Sequence, residues 1–149
     1  MMIALGCDHG GYKLKEEIKK YLNELDIEYK DFGTDSEERT DYPIYAEQVA
    51  KSVQKKECEL GILICKTGFG MTIVANKFKG IRCAPCYDEE TAKQAKEHSN
   101  VNILALPAAY VNTSKAISII RTWIGSQFLN GRYTERLQMI EKIEKENMK

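Results

Sequence analysis

Five short strand-like runs, four largely apolar and one alternating (27–32), each closed by a turn signal and each followed by a stretch with helical periodicity, constrain this chain more than any other feature. The runs are 2–7 (MIALGC), 27–32 (IEYKDF), 60–65 (LGILIC), 81–86 (IRCAPC) and 101–106 (VNILAL). After the first, Leu14, Ile18, Leu22 and Leu25 recur at spacings of four, four and three, which is one face of a helix over 12–25. After the second, Tyr45, Val49 and Val53 mark a helix beginning near Pro43, a residue tolerated in a first turn. The third run leads through a glycine turn to a helix from about Phe69. The fourth leads to one capped by Asp88 and running to about His98. The fifth leads to a helix over 114–125 that Asn112 or Thr113 can cap. Strand–helix alternation with short links predicts an α/β chain: a single Rossmann- or flavodoxin-like domain over 1–149, with a five-stranded parallel sheet covered by helices on both faces.

The last segment stands apart from this alternation. Over 133–147, Leu137, Ile140 and Ile143 keep a helical stripe inside a strongly charged sequence. An extra C-terminal helix there either completes the core or lies on a second copy of the chain.

Composition narrows the classes of partner. Lys and Arg together number 22, as do Asp and Glu, so no net charge draws the molecule to nucleic acid or to a membrane. No apolar run approaches the length of a membrane span, and the N-terminus carries no basic segment followed by an apolar signal core. The five cysteines show no disulfide-scaffold spacing. Together these features point to a reducing, cytoplasmic setting.

Chemistry-bearing residues gather where strands give way to helices. In ICKTGFGM (64–71), Cys65 ends a buried strand and Lys66, Thr67, Gly68, Phe69 and Gly70 form the turn behind it. Gly68 and Gly70 permit positive φ and a close backbone approach to a ligand. Strand, glycine turn and helix together present N–H groups to an anion. In GCDHGG (6–11), Asp8 and His9 follow the first strand and share that carboxyl edge; the plain alternative for Asp8 is a helix cap. The only other histidine, His98, ends the fourth helix, where it can also serve the helix dipole. Arg132 and Arg136, four apart, share a helix face and suit a phosphate, unless they are merely solvated. No paired ligand spacing completes a metal site. The C-x-x-C pair Cys83 and Cys86 could suggest redox chemistry, but Asp88 is the helix cap, which leaves Cys83 inside a strand rather than at a helix start.

GCDHGG, DFGT (31–34), DYPIYA (41–46), ICKTGFGM, AKEH (95–98) and GRYTER (131–136), in this order and at these intervals, resemble the type B ribose-5-phosphate isomerases. More broadly they resemble the sugar-phosphate isomerases that include galactose-6-phosphate isomerase. The resemblance implies a homodimer whose C-terminal helix packs on the partner, with a sugar phosphate as ligand and neither metal nor cofactor. It implies interconversion of an aldose phosphate and its ketose through a cis-enediolate. Cys65 is then the base that moves a proton between C1 and C2, and His98 the acid that opens the sugar ring. Thr67 binds a hydroxyl or assists proton transfer. Asp8, His9, Tyr42, Ser99 and Asn100 contact substrate, the turn from Lys66 to Gly70 holds the enediolate oxygens, and Arg132 and Arg136 hold the phosphate. The reaction itself asks for such a set, because a weakly acidic proton beside a carbonyl needs a base and donors aimed at the developing oxyanion. The helix dipole and Lys66 are expected to favour a thiolate at Cys65.

The chain departs from the family pattern at three places. It reads CKTG where the family usually has CGTG, Ser99 follows the histidine where Asn is usual, and PAA (107–109) replaces GGR, so a substrate-binding arginine falls at Ala109. These leave two alternatives beside a ribose-5-phosphate isomerase: an isomerase of a hexose 6-phosphate of the allose or galactose type, and a catalytically silent sugar-phosphate-binding module on the same fold.

Overall fold

The computed structural model describes residues 1–148. β1 (Met2–Cys7) passes through a single 3-10 turn (His9–Gly11) into α1 (Tyr12–Glu24). Then follow β2 (Glu28–Asp31), α2 (Tyr42–Gln54), β3 (Leu60–Cys65), α3 (Phe69–Ala75), β4 (Cys83–Pro85), α4 (Glu89–Ser99), β5 (Ile103–Pro107), α5 (Thr113–Gly125) and α6 (Arg132–Asn147). The five strands form one parallel sheet in the order β2-β1-β3-β5-β4. The expected α/β fold with its extra terminal helix is the one observed, and no helix among the described residues is long and apolar enough to cross a membrane.

Alternation along the strands divides the core in two. Ile62 and Ile64 of β3 join Ile18, Leu22, Ile119 and Trp123, so α1 and α5 cover one face together with α4. Leu63 and Cys65 point to the other, where Val49, Met71 and Ala75 bring in α2 and α3. This two-sided burial is why β1, β3 and β5 read as continuous apolar runs, whereas the largely exposed edge strand β2 alternates.

The expected caps are in place. Asp88 accepts from the Thr91 N–H in a capping box, Asn112 accepts from Lys115 N–H, and Pro43 lies in the first turn of α2. Some bounds differ. Leu25 is not part of the α1 face but its exposed C-cap, and Tyr21 fills the core there instead. The fourth strand is only Cys83–Pro85, because Ile81 and Arg82 belong to the turn that enters it. Cys83 and Cys86 pack on opposite faces of the sheet, and burial pushes their thiols up to about 12 and about 11. Neither position suits a redox pair.

α6 is nearly free of its own chain. None of its side chains is buried, and Ile140 and Ile143 are 45% and 61% exposed. A groove of about 500 Å³, lined by Ile81, Cys83, Ala95, Ile140, Ile143 and Met148, runs beneath it. The helix is tied down by its Glu144 carboxylate, which accepts the Gly80 N–H at 2.6 Å.

Candidate active site

The connections fix where a ligand can lie. The crossover from β1 leads outward to β2, whereas that from β3 leads the other way toward β4 and β5. The carboxyl ends of β1 and β3 therefore flank the topological switch point, where open α/β sheets bind their ligands. Asp8 and Cys65 occupy those two ends, joined by the Asp8 N–H donating to Ile64 O at 3.3 Å.

Cys65 is buried, and its sulfur accepts the Gly68 N–H at 3.1 Å. Gly68 makes this possible with φ +81°, a conformation that costs a side-chain-bearing residue about 1–3 kcal/mol. Gly70 does not use positive φ; it lies in the first turn of α3, and its need for glycine is steric. A Cβ there would stand 2.4 Å from the Tyr42 ring, which leans on the turn from the start of α2. Phe69, largely exposed, donates its N–H to Thr67 Oγ1 at 3.3 Å. First-turn N–H groups of an α-helix have no intrahelical partner, so the turn carries donors for an anionic oxygen. Lys66 is exposed beside it, and its carbonyl accepts the Ala109 N–H at 3.0 Å, while Ala108 N–H reaches Cys65 O at 2.9 Å.

Across the switch point, Asp8 caps the 3-10 turn at the carboxyl end of β1: its Oδ1 accepts the Gly10 N–H at 2.9 Å. The plain cap and the site reading are therefore compatible. His9 Nδ1 lies 3.2 Å from both the N–H and the carbonyl oxygen of Thr40. One backbone residue thus serves either tautomer, and Nε2 is left with the complementary donor or acceptor role. Thr40 is itself held through its hydroxyl by Tyr45 OH at 2.9 Å.

The remaining candidates assemble elsewhere. The His98 ring stacks on Tyr133, centroids 4.6 Å apart and planes 5° from parallel. The Arg132 and Arg136 guanidiniums lie 5.2 and 5.6 Å from the same Tyr133 ring. Leu129 N–H donates to Glu97 O, holding the entry to α6 against the end of α4. Ser99 and Asn100 follow His98, with Asn100 in the left-handed conformation as the α4 C-cap. This group sits at the amino edge of the sheet, since the Asn100 carbonyl accepts from Arg82 just ahead of β4. β3 and β5 pair Gly61 with Ile103 and Cys65 with Pro107. Four residues of strand, roughly 13 Å at ~3.3 Å each, therefore separate the level of Cys65 from the level at which β5 begins. Within one chain the structure brings Asp8, His9, Tyr42 and the 65–70 turn together. It gathers His98, Ser99, Asn100, Arg132 and Arg136 into a second group at the opposite edge.

One carboxyl-edge group with a glycine turn over a cysteine, and a second group carrying a histidine and two arginines, accord with one family, whose model matches residues 3–140 under the description ribose/galactose isomerase. The chain belongs to this family. It is 46% identical to ribose-5-phosphate isomerase B of Escherichia coli over 142 residues, covering 95% of each chain. Its fold superposes on a Clostridium thermocellum ribose-5-phosphate isomerase B with a TM-score of 0.96 at 44% identity, covering 98% of this chain and 99% of the other. A Mycoplasma genitalium ribose-5-phosphate isomerase B with bound ribulose 5-phosphate matches with a TM-score of 0.94 at 36% identity, covering 98% and 97%.

Family membership leaves several site contacts to be read from the coordinates. Thr40 and Tyr45, which hold His9, and Tyr133, which organises His98 and the two arginines, carried no signal of their own in the sequence. Each acts through a contact between residues distant in the chain or through a ring whose orientation no periodicity reports. Among the described residues no three His, Cys, Asp or Glu side chains come close enough to hold a metal ion.

Proposed function

We infer that this isomerase interconverts ribose 5-phosphate and ribulose 5-phosphate. The observation that carries the reading is Cys65 at the switch point, its sulfur held by the Gly68 N–H at the mouth of a glycine turn, in a chain of this family. The relative with bound ribulose 5-phosphate supports the choice of ligand.

In the forward direction the furanose ring opens first, with His98 donating a proton to the ring oxygen and Thr67 assisting removal of the anomeric hydroxyl proton. Cys65 then takes the C2 proton of the open aldehyde. The charge left behind lies on O1, and passage of the O2 hydroxyl proton to O1 shifts it to O2; the N–H groups of the 66–70 turn meet it on both oxygens. The same sulfur, its proton open to exchange with solvent, then protonates C1, giving the ketose. Asp8, His9 and Tyr42 bind hydroxyls around this centre, with Ser99 and Asn100 beside the histidine, and Arg132 and Arg136 hold the phosphate as a bidentate pair of cations.

Because the two groups of residues lie at opposite edges of the sheet, one chain cannot apply both to one sugar. A twofold homodimer can: in an isologous pair, whatever one chain offers, the other receives. His98, Arg132 and Arg136 of the partner subunit would then face Cys65, giving two equal composite sites. The exposed Ile140 and Ile143 of α6 and the groove beneath them supply the apolar surface such a pairing needs.

The test is ribose 5-phosphate turnover in D2O followed by NMR. Ribulose 5-phosphate carrying deuterium at C1 is the expected product. Tight binding of ribose 5-phosphate with no exchange and no ketose would make the protein a binding module instead.

A further inference from the structure

Charged side chains are almost never fully buried unless paired, and Lys15 is fully buried in α1. Its ammonium donates to Asp31 Oδ1 at 2.7 Å and to the Thr34 carbonyl oxygen, and it lies 5.6 Å from the Tyr12 ring. Asp31 in turn accepts the Gly33 N–H at 2.9 Å and a second lysine, Lys19, at 3.0 Å. The segment held in this way is sewn to the end of β1: Cys7 N–H donates to Gly33 O at 2.6 Å and Thr34 N–H to Cys7 O at 2.7 Å. Cys7 immediately precedes Asp8. From Thr34 the chain runs only as far as Thr40 before its backbone closes on His9.

We propose that Lys15 is a positioning residue for the carboxyl-edge half of the site, its ammonium fixing the root of the 33–40 loop and through that loop the His9 ring. The proposal rests on the reading that His9 contacts substrate. Lys15 touches no reacting atom. It anchors Thr34 by the carbonyl while β1 anchors the same residue by the amide, so the loop leaves the sheet in one direction only. Tyr45, through Thr40, fixes the far end. A core stabilised by a methionine at position 15 would bury as much apolar surface but would offer the Thr34 carbonyl no donor. Asp31 would keep Lys19, so the exchange leaves no orphaned charge.

The chain has two histidines, which makes the experiment direct. Ring carbon and proton resonances of His9 and His98 are recorded at fixed pH, without substrate, in wild type and Lys15→Met, with His98→Asn assigning the signals. The His9 resonances should move in Lys15→Met while those of His98 stay. In the same folded variant kcat/KM for ribose 5-phosphate should fall by on the order of tenfold to a hundredfold, the cost of small misplacements in a site. A folded Lys15→Met with unmoved His9 resonances overturns the proposal. Should Lys15→Met not fold, Asp31→Asn is read in the same way, since it keeps an acceptor but weakens the hold on Lys15; unmoved His9 resonances there are equally fatal. The resonances report on position whether or not ribose 5-phosphate is the substrate, so failure of that reading and failure of this proposal are distinguishable.

Discussion

The Gly68 N–H points at the Cys65 sulfur from 3.1 Å, so the glycine turn proposed to meet the substrate oxygens also fixes the atom proposed to move the proton. Cys65→Ala removes the base and leaves that turn in place. It should lower kcat by several orders of magnitude with little change in KM, the pattern of an interaction made in the transition state. Iodoacetamide should inactivate the wild type, with substrate protecting it. Near-normal turnover by the alanine variant would remove Cys65 from the mechanism.

Two half-sites at opposite edges of one sheet lead to a mixing experiment. Cys65→Ala and His98→Asn homodimers should each be nearly inactive. Unfolded together and refolded, they form heterodimers in which one composite site carries both lesions and the other carries none. Random pairing makes half the dimers mixed, each with one sound site, so activity should recover to roughly a quarter of wild type. No recovery from well-mixed dimers would mean that each site is built within one chain.

The apolar stripe on α6 carries its own expectation. Ile140→Asp and Ile143→Asp place a charge where the helix has no buried contact with its own chain, so the fold should survive each change. Dimerisation and activity should be lost together. A fully active monomer by light scattering would refute the shared site.

Asp31 gives stability a definite pH dependence. Burial works to raise its carboxyl pKa, but hydrogen bonds from Lys15, the Gly33 N–H and Lys19 prevail and hold it below the ordinary value of 3.8. A carboxylate depressed on folding contributes stability that is fully present above its unfolded pKa and is lost as pH falls through the folded one. Thermal melts should therefore show Tm dropping as pH falls below about 4, with Asp31→Asn less stable at neutral pH and less sensitive to acid. Parallel Tm curves for the two proteins would show that Asp31 has no part in the acid transition.

The fold was legible because the central strands are buried on both faces, the edge strand β2 alternates and the sheet-packed helices each have one apolar side, so periodicity and length carried the assignment. The half-site around Cys65 was legible for a related reason: parallel strands put the residues that follow them on one edge, which joins Asp8, His9 and Cys65 without any knowledge of side chains. What remained hidden depends on contacts across the chain. Lys15 keeps step with Ile18 and Leu22 at spacings of three and four, which marks it as a core position. Only the arrival of Asp31 and the Thr34 carbonyl explains a lysine there. Leu25 fits the helical stripe equally well yet caps the helix in solvent, because the chain turns at Asp26 with φ 55°. The separation of His98 from Cys65 follows from α4 running back to the amino edge, a consequence of sheet topology.

The link between Lys66 and the 107–109 turn yields a test of substrate choice. The Ala109 N–H is bonded to the Lys66 carbonyl, so position 109 is tied by its backbone to the glycine turn behind Cys65. In the resembled family an arginine stands at this place, and its loss should cost roughly 1.5–3 kcal/mol for a charged hydrogen bond, or about ten- to a hundredfold in affinity. The wild type should still turn over ribose 5-phosphate, because the cysteine, the histidine and both α6 arginines remain, but with a raised KM. Ala109→Arg should lower KM for ribose 5-phosphate and leave kcat nearly unchanged, since a contact to the sugar remote from C1 and C2 binds ground and transition states alike. For allose 6-phosphate and galactose 6-phosphate the same substitution should do the reverse, as the added carbon needs the space that the alanine leaves. Comparing kcat/KM for the three sugars in both proteins decides the matter. If ribose 5-phosphate is already preferred by a wide margin and Ala109→Arg alters none of the three values, position 109 has no part in substrate choice.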